Sequence, residues 1–192
     1  MLNFKTISKI FFAFLDDMSI TPKSKKGINY LIRLNIETNR KLWNLEDLVR
    51  MAELSPEHIA VTKQEIDRNN QIRNDSIRKI DIEISDQIGA SSGHQGRFYS
   101  ESPGMTIDRL AILFIKLSVI HDLLLVIKEK DLQREYKEKE NIISKQIDHI
   151  GIFLDSYFTR LVRKEVFFEI QQPVKIYNDK RIKKYIKLLQ KF

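Results

Sequence analysis

Asparagine and arginine occupy positions where a helix would keep its core. The run Ile59, Ile66, Ile77, Ile80, Ile84, Ile88 holds to one helical face, and Asn70 and Arg73 fall on the same stripe. An arginine packed inward needs an anion, because an unpaired buried charge is costly. Acidic groups at helical spacing are at hand: Glu46 and Asp47 with Arg50, Asp67 with Asn74, and Asp108 beside Arg109. Trp43, Asp47 and Arg50 follow at i, i+4, i+7, with Glu46 one turn before Arg50, so acid and base share a face beside an aromatic ring. Asp67, Asn70, Asn74 and Asp81 form a second line. Asn69, Asn70 and Asn74 crowd a region that must be helical, at a cost in propensity that something local has to offset.

Two kinds of chemistry fit these residues. In one, carboxylates of one helix accept hydrogen bonds from Arg73 and the asparagine amides of another, and the satisfied network fixes the helix register. In the other, Asn and Arg donors with nearby acids line a pocket for a phosphorylated or otherwise anionic small molecule, with Mg²⁺ as a candidate cofactor. A metal-dependent pyrophosphohydrolase would need paired carboxylate motifs on adjacent helices. Glu83 and Asp86 supply one such pair and no convincing partner exists, so no metal ligands are assigned. His121 falls on the apolar face of its helix, as a core histidine or a general base.

The elements that must hold these groups are helices. An opening helix over about Leu2 to Met18 ends at the breaker stretch Ser19 to Gly27, and a first core helix runs from Ile28 to Ala52. Ser55 and Pro56 have the order of an N-cap hydroxyl followed by a first-turn proline. Nothing breaks the chain from there to Gly89, so that helix spans about 33 residues, roughly 50 Å. Gly89 to Gly104 reads as the principal loop, with Thr106 capping the next helix and Asp108 in its first turn. That helix carries Ile107, Leu110, Phe114, Leu117 and Leu124. The charge block Lys128 to Glu140 holds a turn or a solvated helical extension, and a last long helix covers about Leu132 to Lys164. The chain breaks again at Pro173. The fold class is therefore all-α: an antiparallel bundle of four main helices with an N-terminal helix and a basic C-terminal helix. A single helical domain is expected over residues 1–192, with the N-terminal helix and loop in 1–26, the bundle core in 27–165 and the C-terminal segment in 166–192.

Composition excludes several function classes. With 192 residues and no cysteine, the chain can bury a full core without staples, and thiol catalysis, thiolate metal sites and disulfides are ruled out. The 4 histidines show no zinc-hydrolase spacing. The apolar run Ile10 to Leu15 is closed by Asp16 and Asp17 and lacks a cleavage site, and Lys116 interrupts Ala111 to Ile120, so a soluble, cytoplasmic protein without a transmembrane segment is expected. The +7 net charge is concentrated at the end, in Lys175, Lys180, Arg181, Lys183, Lys184, Lys187 and Lys191 against Asp179. Such a tail can grip nucleic acid or an anionic surface, or its apolar residues Ile182, Tyr185, Ile186 and Leu189 can pack on the bundle.

Four segments taken together, Leu42–Arg50, Lys63–Asp81, Glu101–Leu117 and Lys175–Asp179, resemble the bacterial domain-of-unknown-function family forty-two fifty-four. The long Asn/Arg/Asp helix and the E-x-P-G-x-x-x-D-R-L segment are its specific parts. The family's polar signature, carried over residue by residue, adds Tyr177 and Asn178 to the positions found above. Ala111 stands where a serine is usual, and the ending after Asp179 departs from the family pattern. The family has no settled activity; its members tend to be encoded near glycan and lipopolysaccharide assembly genes, which implies envelope-sugar metabolism.

The function expected is thus a helical bundle that binds a phosphorylated sugar or nucleotide sugar at an inter-helix polar site, whether enzymatic or accessory. The ligand residues are Trp43, Glu46, Asp47, Arg50, Asp67, Asn70, Arg73, Asn74, Asp81, Asp108, Arg109, Tyr177 and Asn178. The alternatives are a non-catalytic interaction module, a homodimer among them, whose polar network is structural, and nucleic-acid binding through the basic tail.

Overall fold

A computed structural model of the chain describes residues 2–18, 24–51, 55–89, 96–172 and 181–189. Six helices run through them: α1 Phe4–Asp16, α2 Ile28–Met51, α3 Pro56–Ile88, α4 Pro103–Val126, α5 Lys130–Val162 and α6 Lys183–Leu189. The described residues are 80% helical, and the helices pack as an all-α bundle.

Side-chain contacts fix the antiparallel order. Lys41 meets Glu65 at 2.7 Å while Asn35 meets Ser76 at 3.1 Å, so α2 and α3 run in opposite directions. Arg73 with Asp108 and Asp81 with Gly104 reverse α3 against α4. His121 with Glu140 and Tyr157 with the Glu101 carbonyl do the same for α4 and α5. α1 closes one side of this arrangement: its Phe11 and Phe12 rings meet Phe114 edge-on, at 5.3 and 5.0 Å between centroids. The Phe4 amide donates to Asp155 at 2.7 Å. Phe4 packs so tightly on α5 that a Cβ at Gly151 would stand 2.6 Å from its ring, and only glycine leaves that room.

Ile7, Phe11, Ile32, Ile36, Ile80, Ile107, Leu110 and Leu154 are fully enclosed, each contributing roughly 1.5–3 kcal/mol by leaving water. On α3 the expected isoleucine stripe holds, with Ile80 and Ile84 buried and Ile59, Ile66, Ile77 and Ile88 half-buried. The start of α3 is as the sequence implies: the Ser55 hydroxyl accepts from the His58 amide and Pro56 opens the helix.

One expectation is corrected and two details are added. α4 begins before Thr106, because Ser102 is its N-cap, accepting from the Met105 amide, and Pro103 takes the first helical position. Proline there is a starting residue rather than a breaker, since its missing N–H has no partner to lose. The charged block from Lys130 on is helix, with the turn confined to Ile127–Glu129. Two short strands, β1 Arg97–Phe98 and β2 Val166–Phe167, also pair in parallel, with the Arg97 amide on the Glu165 carbonyl at 3.0 Å and the Tyr99 amide on the Phe167 carbonyl at 2.8 Å. Alternation cannot announce elements that short. They tie the entry to α4 to the exit from α5.

Much of the basic tail, and residues 90–95 of the glycine-rich loop with His94 among them, lie outside the described residues. Of the tail's expected apolar face, Ile182 is half-buried, Tyr185 and Leu189 are exposed, and the Ile186 side chain lies outside the described ones. No described helix is long and apolar enough to cross a membrane.

Candidate functional site

Asp108, one turn and a half into α4 and only 4% exposed, gathers donors from two other helices. Its Oδ1 accepts from Asn35 Nδ2 at 3.0 Å, Asn39 Nδ2 at 2.8 Å and Arg73 Nε at 2.9 Å, and its Oδ2 accepts from Arg73 Nη2 at 2.5 Å. Asn35 Nδ2 also donates to Ser76 Oγ at 3.1 Å, and that hydroxyl donates to the Arg73 carbonyl at 2.6 Å. Asn35, Asn39 and Ser76 are themselves buried. A carboxylate this enclosed would cost several kcal/mol if left alone; a forked guanidinium and two amides supply what water would have given. Hydrogen bonding to Asp108 in turn holds the Arg73 guanidinium above its ordinary pKa.

Asp81, on α3 and 2% exposed, is satisfied differently. Its Oδ2 accepts from Ser102 Oγ at 2.6 Å and its Oδ1 from the Gly104 amide at 2.7 Å, so it receives the start of α4, where unpaired N–H groups favour a carboxylate. No ion pair to Asp81 occurs among the described residues, and burial pushes its carboxyl up to about 6 against the pull of both hydrogen bonds. A Cβ on Gly104 would lie 2.6 Å from the Ile77 carbonyl and 2.8 Å from Asp81 Oδ1, so glycine is what lets α4 touch α3 here. Most of the E-x-P-G-x-x-x-D-R-L segment is thereby explained as architecture: a helix start, a close approach, the Asp108 network and core Leu110. Arg109 is the exception. It is exposed and pairs with Glu101 at 2.5 Å.

Two cavities flank this network. The larger, about 530 Å³, opens between α3 and α4 with Gln171 and Gln172 on its edge; its polar wall sets Arg73, Arg78 and Arg109 among Asp75, Asp81 and Asp108, with Gln71 and Asn74 beside them. The smaller, about 290 Å³, lies among α2, α3 and α4 and is walled by Trp43, Glu46, Asp47, Arg50, Asn70 and Arg73. Arg73 and Ile112 belong to both. The larger cleft is rich in guanidinium groups, which match phosphate and carboxylate oxygens in a planar fork. Arg73 is committed to Asp108. Arg78 is not so engaged: its Nε is enclosed and meets no acceptor among the described residues.

The structure therefore gathers most of the expected residues, but into two compartments. Asp67 is exposed and lines neither cavity, so the expected line from Asp67 to Asp81 is broken at its first member. Tyr177 and Asn178 lie outside the described residues. Glu46 and Arg50 form the expected i,i+4 pair, at 3.5 Å and well exposed, worth only about 0.3–0.5 kcal/mol. His121 is exposed rather than on a buried face, and meets Glu140 at 2.8 Å. Among the described residues no group of three His, Asp or Glu side chains is arranged to hold a metal ion. Asn35, Asn39, Ser76 and Arg78 escape the sequence reading. Asn35 and Asn39 sit at i, i+4 beside Ile32 and Ile36, the same signal of amides on an apolar stripe that singled out Asn70.

No curated protein and no solved structure matches the chain. A family model described as protein of unknown function (DUF4254) matches residues 29–169, taking in nearly all of α2 and everything through β2. Both cavity walls fall within that span except Gln171 and Gln172, while Tyr177 and Asn178 fall beyond it. With most of its length covered by that match, the chain belongs to the DUF4254 family.

Proposed function

We propose that this protein binds an anionic small molecule, a phosphorylated sugar or a nucleotide sugar, with its phosphoryl group in the cleft between α3 and α4. The observation that carries the proposal is Arg78, a guanidinium on the cleft wall whose enclosed Nε has no acceptor. The rest of that guanidinium borders the cleft and meets no acceptor among the described residues either, so a phosphoryl oxygen, a strong acceptor, can reach it from the cavity. Arg109 adds a second cation whose exposed pairing with Glu101 is weak enough to be exchanged for a ligand. The envelope-sugar setting implied by the family resemblance makes sugar phosphates the natural class and the cytoplasm the natural compartment.

Calorimetry against inorganic phosphate, hexose phosphates and nucleotide sugars, with and without Mg²⁺, tests the proposal. Saturable binding that Arg78→Ala weakens at least about tenfold is expected. Silence across the panel would overturn it.

A second reading has its own observation. Asn35, Asn39, Ser76 and Asp108 satisfy one another inside the bundle without any ligand. On that view the polar residues only lock the helices, and the protein is an interaction module, with a second copy of itself as the first partner to test. Dimerisation by light scattering, together with no response to any phosphate compound, would favour it.

A further inference from the structure

Resting on the anion reading above, we infer that the cavity beside Trp43 seats the hydroxylated ring of the same ligand, so that the two cavities form one bipartite site for a sugar monophosphate. Arg73 stands at the junction. Its side chain borders both spaces, and its Nε and Nη2 are fixed on Asp108, which leaves Nη1 outside the pair. A ligand lying across this side chain would place one part on each side.

The two walls ask for opposite chemistry. The larger cleft holds three acids beside its arginines, but Asp81 and Asp108 are taken by internal donors and Asp75 accepts from Gln71 at 2.6 Å, which leaves Arg78 and Arg109 toward a ligand; in the smaller, Arg73 is held by Asp108, Glu46 meets only the exposed Arg50 at 3.5 Å, and Asp47 has no hydrogen bond or ion pair among the described residues. Carboxylate oxygens are acceptors, so these two favour an occupant that brings donors. Hydroxyl groups bring a donor and an acceptor each, which suits carboxylates beside the Asn70 amide, itself both donor and acceptor. Trp43 adds a half-buried flat apolar surface, on which the C–H face of a sugar ring can rest while its hydroxyls point at the acids. A volume of about 290 Å³ is at the small end for ligand cavities and fits one ring rather than a nucleoside.

Trp43 is the single tryptophan of the chain, so intrinsic fluorescence reports on this cavity alone. Wild-type protein is titrated with glucose 1-phosphate, inorganic phosphate and adenosine monophosphate, by fluorescence and calorimetry. The hexose phosphate is expected to bind at least about tenfold tighter than phosphate and to shift Trp43 emission saturably, while phosphate leaves the emission unchanged. Asp47→Asn and Trp43→Leu, checked for wild-type melting, should reduce hexose phosphate binding to the level of phosphate without altering phosphate binding itself. Arg78→Ala should weaken both. Equal affinity for phosphate and hexose phosphate, or tighter binding of the nucleotide, would overturn the ring assignment and leave the anion cleft standing. Failure of all three to bind would overturn both.

Discussion

Arg73 closes a two-bond fork on Asp108, at 2.9 and 2.5 Å, whereas Arg78, on the same helix and the same cleft, keeps an enclosed Nε that meets no acceptor. Around Arg73 every partner is internal: Asp108, and through it Asn35, Asn39 and Ser76. Around Arg78 the helix faces a cavity of about 530 Å³. The difference separates two roles that a stripe of polar residues on one helix leaves merged. Groups that satisfy one another hold helices in register, and a group left without an acceptor is available for a ligand.

The largest effect that could break this contrast is at its inner end. Asp108→Ala strands the Asn35 and Asn39 amides and the Arg73 guanidinium; removing one member of a buried pair costs about 3–5 kcal/mol, and the lower end is expected because the Arg73 side chain, 29% exposed, can recover water. Urea unfolding measures it, and a loss under about 1 kcal/mol would mean the network is not the lock.

Asp81 gives the next effect, through pH. Its folded carboxyl is held up at about 6, against an ordinary value of 3.8, so between those values the folded protein binds a proton that the unfolded chain has released. Asp81's contribution is therefore most favourable below about pH 4, declines as pH rises toward 6, and is flat above, a change on the order of 2–3 kcal/mol. Carboxyl titration followed by NMR locates the midpoint directly; an Asp81 carboxyl titrating near pH 4 would remove the effect.

Gly104→Ala comes third, driving a Cβ to 2.6 Å from the Ile77 carbonyl and parting α4 from α3. A cost of about 1–3 kcal/mol by thermal or urea unfolding is expected. The smallest stability effect belongs to Arg78→Ala, expected within about 0.5 kcal/mol of wild type, since no internal acceptor is lost. That variant sharpens the contrast: stability is kept while phosphate binding falls.

The helical architecture was legible because apolar periodicity and capping residues are local signals. α3 shows both, from Ser55 and Pro56 at its start to the isoleucine stripe along its length. The start of α4 was misread because Pro103 and Gly104 look like loop residues, and only the facing Asp81 and Ile77 reveal why they belong to a helix. Arg73 and Asp108 were visible as polar groups at core spacing, and their meeting across two helices follows the same logic. The part of α2 that joins them is Asn35 and Asn39 rather than the expected Glu46 and Asp47, although both amides stand at helical spacing beside Ile32 and Ile36. Arg78 carried no sequence signal at all. An exposed arginine and an enclosed one with no acceptor are the same letter until the neighbouring helix is in place.

The most direct measurement is NMR of the arginine Nε–H groups in wild-type protein during a titration with inorganic phosphate. The Arg73 signal is expected to be protected from exchange and to stay in place, held by Asp108, while the Arg78 signal moves and saturates as phosphate docks on the part of its guanidinium that borders the cleft. An Arg78 signal that never moves, or an Arg73 signal that exchanges freely and shifts in its stead, would contradict the division between a locked and an open guanidinium.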